Sequence, residues 1–267
     1  MLAKLFKHEM VALGRQLLPM YGILILITCI NKLGMLIDID MMYFNTLRVM
    51  FATAYVLGIV ALFFACWIII ILRFYKSLLS SEGYLSFTLP VSANGHIFVK
   101  LVAAVIMAIV SAAVAILSIF ILGAGTSTLN TNLDKIAYTF KQLFEIFGGN
   151  FILYIIEIII VILVTIVQSF LMFYASMALG QLFGKNRVLG AFVSYFVIYL
   201  ILQIITTAIF TIIYFVSPNF LTLRLSFQQG VMVTHIALLS ITVFYCILSL
   251  IYYLITRFVL TRKLNLE

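Results

Sequence analysis

The residue types that bind metals or act as nucleophiles are scattered along this chain without a recognisable catalytic spacing. No two of the three histidines have the spacing of metal ligands: His8, His96 and His235. The three cysteines lie within apolar segments and are interpreted as small apolar filler: Cys29, Cys66 and Cys246. Neither G-x-S-x-G nor H-E-x-x-H occurs, and Gly184-Lys185-Asn186 lacks the other residues of a phosphate loop. The sequence therefore predicts no catalytic, metal or cofactor site in this chain, so any ATP and Mg²⁺ would be bound by a partner.

Polar residues inside apolar runs are the remaining candidates, because their desolvation is costly. Glu157 is the only acid within such a run, and Gln168 shares its helical face. Two interpretations of Glu157 stay open: it marks the outer boundary of its span, or it lies on a transport pathway. Two further pathway candidates are Gln203 and Tyr245, for which hydrogen bonding between helices is the simpler explanation.

The elements that position these residues are membrane-spanning helices. Hydrophobic residues make up 66% of the 267 residues and charged residues only 9%, so a soluble fold could not cover itself with polar groups. Continuous apolar runs without β alternation predict an all-α polytopic membrane protein with one transmembrane domain, 1–267. Six stretches are long enough to span: Leu17–Ile37, Met50–Leu72, Ile97–Leu122, Phe151–Leu179, Val188–Val216 and Val231–Thr256.

The basic residues predict an orientation for these spans. The net charge of +8 forms no patch suited to nucleic acid, since the basic residues lie between the apolar runs. Eleven of the sixteen Lys and Arg residues fall on one side and five on the other. The positive-inside rule then predicts that both termini are cytoplasmic.

Three segments outside the spans have patterns of their own. Residues 1–16 are amphipathic and predict a helix in the inner membrane interface, although Glu9 falls on its apolar side. Their alternative interpretation is an ordinary juxtamembrane anchor. Apolar residues at helical spacing before Gly148 and Gly149 predict a short surface helix that ends at these glycines. The last outer loop, 217–230, is apolar enough to re-enter the membrane.

The inner loop between the second and third spans, 73–96, is the most informative segment. It is amphipathic and carries several aromatic residues, which often anchor protein interfaces. Gly83 permits a turn, and Pro90 stops a helix near Leu89. Two interpretations stay open: a docking surface for another protein, or a loop helix packed on its own bundle.

Residues 82–92 of this loop read EGYLSFTLPVS. This run, with the six spans and the apolar last outer loop, resembles ABC exporter permeases of the second type. It is most similar to small six-span permeases of Gram-positive bacteria, which include bacteriocin-immunity and peptide-export systems. The motif is fairly specific for the family and says nothing about cargo.

The resemblance implies that this loop is a coupling helix that docks on a separate ATP-binding subunit in a bacterial cell membrane. It places five residues at or near that contact: Glu82, Gly83, Tyr84, Leu85 and Phe87. It also implies a second permease, either identical or a sister, and an amphipathic or hydrophobic cargo such as a peptide, bacteriocin, drug or lipid-like molecule.

Three other functions stay open. An ion-coupled secondary transporter would need an acid within the membrane, and Glu157 is the only acid on offer. A membrane-bound enzyme is disfavoured because no catalytic cluster occurs in the sequence. A non-transporting protein that regulates an ATPase through the same loop is the third alternative.

Overall fold

A computed structural model describes residues 2–36, 42–80, 83–84, 88, 91–184, 186–216 and 227–262. Helices make up 94% of the structure, and the described residues contain no strand. Within the described ranges, seven long helices follow one another: α1 Leu2–Leu36, α2 Met42–Phe74, α3 Ala93–Gly123, α4 Ser127–Phe147, α5 Gly149–Gly180, α6 Arg187–Val216 and α7 Phe227–Arg262.

Six of these helices, all except α4, are long and apolar enough to cross a membrane. Each has at least 30 residues, or about 45 Å at 1.5 Å per residue, which exceeds the roughly 30 Å of bilayer hydrocarbon. The predicted all-α class and six spans are thereby confirmed.

The ends of two predicted segments differ from the sequence-based boundaries. Helix α1 is continuous from Leu2 to Leu36, with Pro19 inside it, so the expected division after residue 16 is absent. Helix α2 continues into a π-helical turn, Tyr75–Leu79, whose last three residues are buried. Because helical structure continues to Leu79 and α3 begins at Ala93, the connection is shorter than the predicted loop 73–96. Most of the predicted re-entrant loop, 217–226, lies outside the described residues.

The predicted surface helix is present as α4. It ends at Phe147, and the next residue, Gly148, has a φ of 54°, in the left-handed region that favours glycine. Helix α5 then begins at Gly149. The glycine pair therefore separates the surface helix from the next span, as its sequence indicates.

The chain folds as two compact units. The first comprises Met1–Phe74 and Phe98–Ile146. Within it, the hydroxyls of Tyr21 and Ser111 are hydrogen-bonded at 2.8 Å, as are those of Tyr55 and Ser118 at 2.9 Å. Ser111 Oγ also lies 3.3 Å from Cys66 Sγ. Because these residues are buried, water does not compete for their hydrogen bonds, and the bonds hold α1, α2 and α3 together.

The second unit comprises Tyr75–Ile97 and Phe147–Glu267, and in it α5 packs against both α6 and α7. Helices α5 and α6 approach closely at Gly180, where an added Cβ would lie 2.5 Å from the backbone nitrogen of Ala191. Stacking of Phe173 on Tyr195, with ring centroids 4.7 Å apart, continues this antiparallel contact. A small residue at Gly180 therefore permits the close approach, as is common between membrane helices.

Candidate functional site

The connection between α2 and α3 presents an exposed tyrosine. Gly83 is buried, and its N–H donates to the carbonyl of Ser80 at 2.8 Å. The Tyr84 side chain, by contrast, is 67% exposed. The N–H of Thr88 donates to the carbonyl of Tyr84 at 3.2 Å. The connection therefore presents the aromatic side chain of Tyr84 where another protein can reach it.

The other three residues implied for ATPase contact lie outside the described residues: Glu82, Leu85 and Phe87. Of the predicted contact set, the structure therefore places Gly83 in the interior and Tyr84 on the surface. Their roles in coupling stay a prediction.

Glu157 on α5 is paired with His235 on α7. The Nδ1 atom of His235 lies 2.9 Å from Oε1 and 2.8 Å from Oε2 of Glu157. Less than a fifth of either side chain is exposed. Each residue lies eight positions after the first residue of its helix, or about 12 Å along the axis. The carboxylate therefore has a hydrogen-bonding partner within the bundle.

Tyr154 completes this cluster, which we call the Glu157 site. Its ring stacks on the His235 imidazole with centroids 4.1 Å apart and planes 7° apart. Its hydroxyl donates to the carbonyl of Val231 at 2.9 Å. The Tyr154–Val231 and Glu157–His235 contacts advance together along both helices, so α5 and α7 run parallel. Phe147 meets the Tyr154 ring edge-on, with centroids 5.5 Å apart.

The imidazole of His235 has one nitrogen bonded and one without a partner. Within the described part of the chain, Nε2 is buried and makes no hydrogen bond. Donation from Nδ1–H to Glu157 is compatible with a neutral imidazole, whose Nε2 then needs no acceptor.

The remaining pathway candidates are distributed over different surfaces. Gln168 is 5% exposed and hydrogen-bonds through its side chain with Tyr252 of α7, so it shares with Glu157 the face of α5 that meets α7. Gln203 is exposed near the middle of α6. Tyr245 is half-buried and lies against Phe244. Whether any of these residues contacts a cargo stays a prediction.

A buried ionic cluster in the first unit has no counterpart in the sequence-based candidates. Glu9 on α1 accepts hydrogen bonds from Lys100 on α3 and from Arg73 Nε on α2, the latter at 3.3 Å. The side chains of Glu9 and Lys100 are 7% and 5% exposed, whereas that of Arg73 is 31% exposed. We call these three residues the Glu9 cluster. The signal for it was the position of Glu9 on the apolar face of its helix, where an acid needs a buried partner.

The Glu9 cluster and the Glu157 site each contain a single acid. Across the ranges that the structure describes, no three His, Cys, Asp or Glu side chains come close enough together to hold a metal ion. Both clusters pair acids with bases from neighbouring helices, which satisfies charges within the bundle.

Comparison with protein-family models, with curated proteins and with solved structures found no match. The fold and its polar contacts define a class: a multi-pass α-helical membrane protein in which acids are paired with basic residues between the spans.

Proposed function

We propose that this chain is the permease subunit of an ATP-driven exporter, with ATP hydrolysed by a separate subunit. Six helices able to span a membrane supply the architecture that such a subunit needs. The loop motif at 82–92 supplies the resemblance to ABC exporters of the second type. The chain would lie in a bacterial cell membrane with both termini in the cytoplasm, and its cargo would be amphipathic or hydrophobic.

The observation that carries this proposal is the exposure of Tyr84 between α2 and α3. A tyrosine that is 67% exposed offers a large amphipathic surface at low conformational cost. We propose that it enters a groove of the ATP-binding subunit, with Glu82, Leu85 and Phe87 beside it. Because the same connection leads directly into α3, displacement of Tyr84 by the ATPase would be transmitted to a spanning helix.

The test is copurification of an ATPase with the tagged protein from its native membrane in mild detergent. Tyr84→Ala should lose the ATPase subunit, since truncation of an aromatic anchor typically costs about 2 kcal/mol or more, or about 30-fold in affinity. Tyr138→Ala is the matched control, because Tyr138 is another exposed tyrosine, at 62%, on the surface helix α4. It should retain the ATPase.

Two outcomes would contradict the proposal. One is the absence of any P-loop ATPase from the purified complex, even after cross-linking. The other is equal retention of the ATPase by both tyrosine variants, which would remove Tyr84 from the contact. ATPase binding without any cargo movement would favour the regulatory alternative instead.

We propose that the permease works with a second copy of itself or with a sister permease. Supporting this, Gln203 is exposed near the middle of α6, where contact with hydrocarbon would leave its amide without hydrogen bonds. Its amide both donates and accepts, so two facing copies would satisfy each other. The mass of the purified complex tests this partner, and a single permease per complex would contradict it.

An ion-coupled secondary transporter is a second candidate, because the Glu157 site provides an acid and a histidine between two spans. Vesicles that contain only this chain distinguish the two functions. Proton flux that is driven by an imposed pH gradient, and lost in Glu157→Gln, would support ion coupling. If these vesicles carry no proton flux and the ATPase copurifies, the exporter is favoured.

A further inference from the structure

The surface helix α4 has one apolar face that is exposed. Its apolar residues recur at spacings of three and four, which places them in one row along the helix. Ile136, Phe140 and Phe144 in this row are each about half exposed. We call this row the apolar face of α4. The opposite face carries Asp134, Lys135, Lys141 and Glu145, whose charges sum to zero.

The start of α4 is attached to the end of a spanning helix. Three residues separate α3, which ends at Gly123, from α4, which begins at Ser127, so the gap is at most about 10–14 Å. Lys32 on α1 donates to the carbonyl of Leu122, at 3.1 Å, and to that of Ala124. A lysine bonded to the last carbonyls of a span is typical of the membrane boundary. The beginning of α4 is therefore held close to the membrane boundary.

The other end of α4 is attached just as closely. Only Gly148 separates the last residue of α4, Phe147, from the first residue of the spanning helix α5. With a short connection at each end, both ends of α4 stay close to the ends of spanning helices. It is also not among the helices apolar enough to cross the bilayer.

We propose that α4 lies flat in the membrane interface, with its apolar face in the lipid acyl chains and its charged face in water. The short connections to α3 and α5 place Ile136, Phe140 and Phe144 close to the bilayer. This bilayer is the same lipid that surrounds the spanning helices. Because the charged face sums to zero, apolar burial drives the contact. Membrane contact of α4 is therefore independent of anionic headgroups.

Two aromatic positions on opposite faces of α4 provide the test. In a Trp67→Phe background, which removes the only tryptophan, Phe140→Trp reports on the apolar face and Tyr138→Trp on the polar face. Each protein is reconstituted into phosphatidylcholine vesicles with and without bromine on the acyl chains. Phe140→Trp should show blue-shifted emission and loss of fluorescence to brominated lipid. Tyr138→Trp should instead be quenched by aqueous iodide.

The controls separate lipid from other occupants. Replacing part of the phosphatidylcholine with phosphatidylglycerol should leave both signals unchanged. Protection of Phe140→Trp from brominated lipid and iodide together would mean that protein covers the face and would overturn the proposal. Equal quenching of both positions by brominated lipid would overturn it as well. Ile136→Trp repeats the measurement on the same face if Phe140→Trp does not reconstitute.

Discussion

Removal of the charge on Glu9 is expected to destabilise the first unit strongly. In Glu9→Gln the amide keeps the shape of the carboxyl but leaves the Lys100 ammonium, which is 5% exposed, without its anion. Arg73, also positive, remains nearby. Breaking a buried ion pair by removing one partner typically costs about 3–5 kcal/mol, and we expect a loss of that size for Glu9→Gln.

Two matched variants separate the charge effect from packing. Arg73→Met removes the partner that is 31% exposed, and solvent screening limits its expected cost to about 1 kcal/mol or less. The double variant Glu9→Gln with Lys100→Met removes both buried charges and should recover most of the loss. Replacement of a buried ion pair by uncharged residues of similar volume is often nearly neutral.

The free energy of unfolding is measured for the purified protein in mixed micelles, by titration with a denaturing detergent and loss of helical circular dichroism. The double-mutant cycle gives the coupling between Glu9 and Lys100 directly. A cost for Glu9→Gln no larger than that for Arg73→Met would refute the reasoning. So would a double variant as unstable as Glu9→Gln alone.

Two further predictions concern the second unit. Gly180→Ala should lower the thermal midpoint of unfolding, because the new Cβ would lie 2.5 Å from the backbone of α6 and overpacking typically costs about 1–3 kcal/mol. Gly184→Ala is the control and should leave the midpoint unchanged, because nothing lies within 4 Å of its added Cβ. Equal midpoints for the two variants would contradict this prediction. His235→Phe should keep the stacking on Tyr154 but leave the Glu157 carboxylate without its partner, at a cost of about 1–3 kcal/mol in the free energy of unfolding. Adding Glu157→Gln to this variant should recover part of the lost thermal stability. If it recovers none, loss of the Glu157–His235 pairing is not the cause of the destabilisation.

The sequence predicted the spans because each one is a local property. Twenty or more consecutive apolar residues must be helical in lipid, whichever helices lie beside them. The end of α4 before Gly148 was predictable for a similar reason, since glycine has the conformational freedom that a φ of 54° requires. The end of the second span was less well predicted, because helical structure continues after α2 through a π-helical turn to Leu79.

The partners of the buried polar residues could not be predicted in the same way. Glu9 was visible as an acid on an apolar face, but Lys100 lies 91 positions further along the chain. His235 was considered only as a metal ligand, although it pairs with Glu157 across 78 positions. A sequence shows that a charge in lipid needs a partner, and only the packing of helices shows which residue supplies it.

The sequence by itself therefore determined that this is a membrane protein, that it is helical, and how many spans it has. These properties depend on the hydrophobicity and length of each helix taken separately. Only the tertiary structure showed that α5 and α7 run side by side in parallel and that Gly180 permits the close approach of α6. It also showed that Glu9 and Glu157 are paired with basic residues. These features depend on contacts between residues far apart in the chain, and close packing of side chains fixes them.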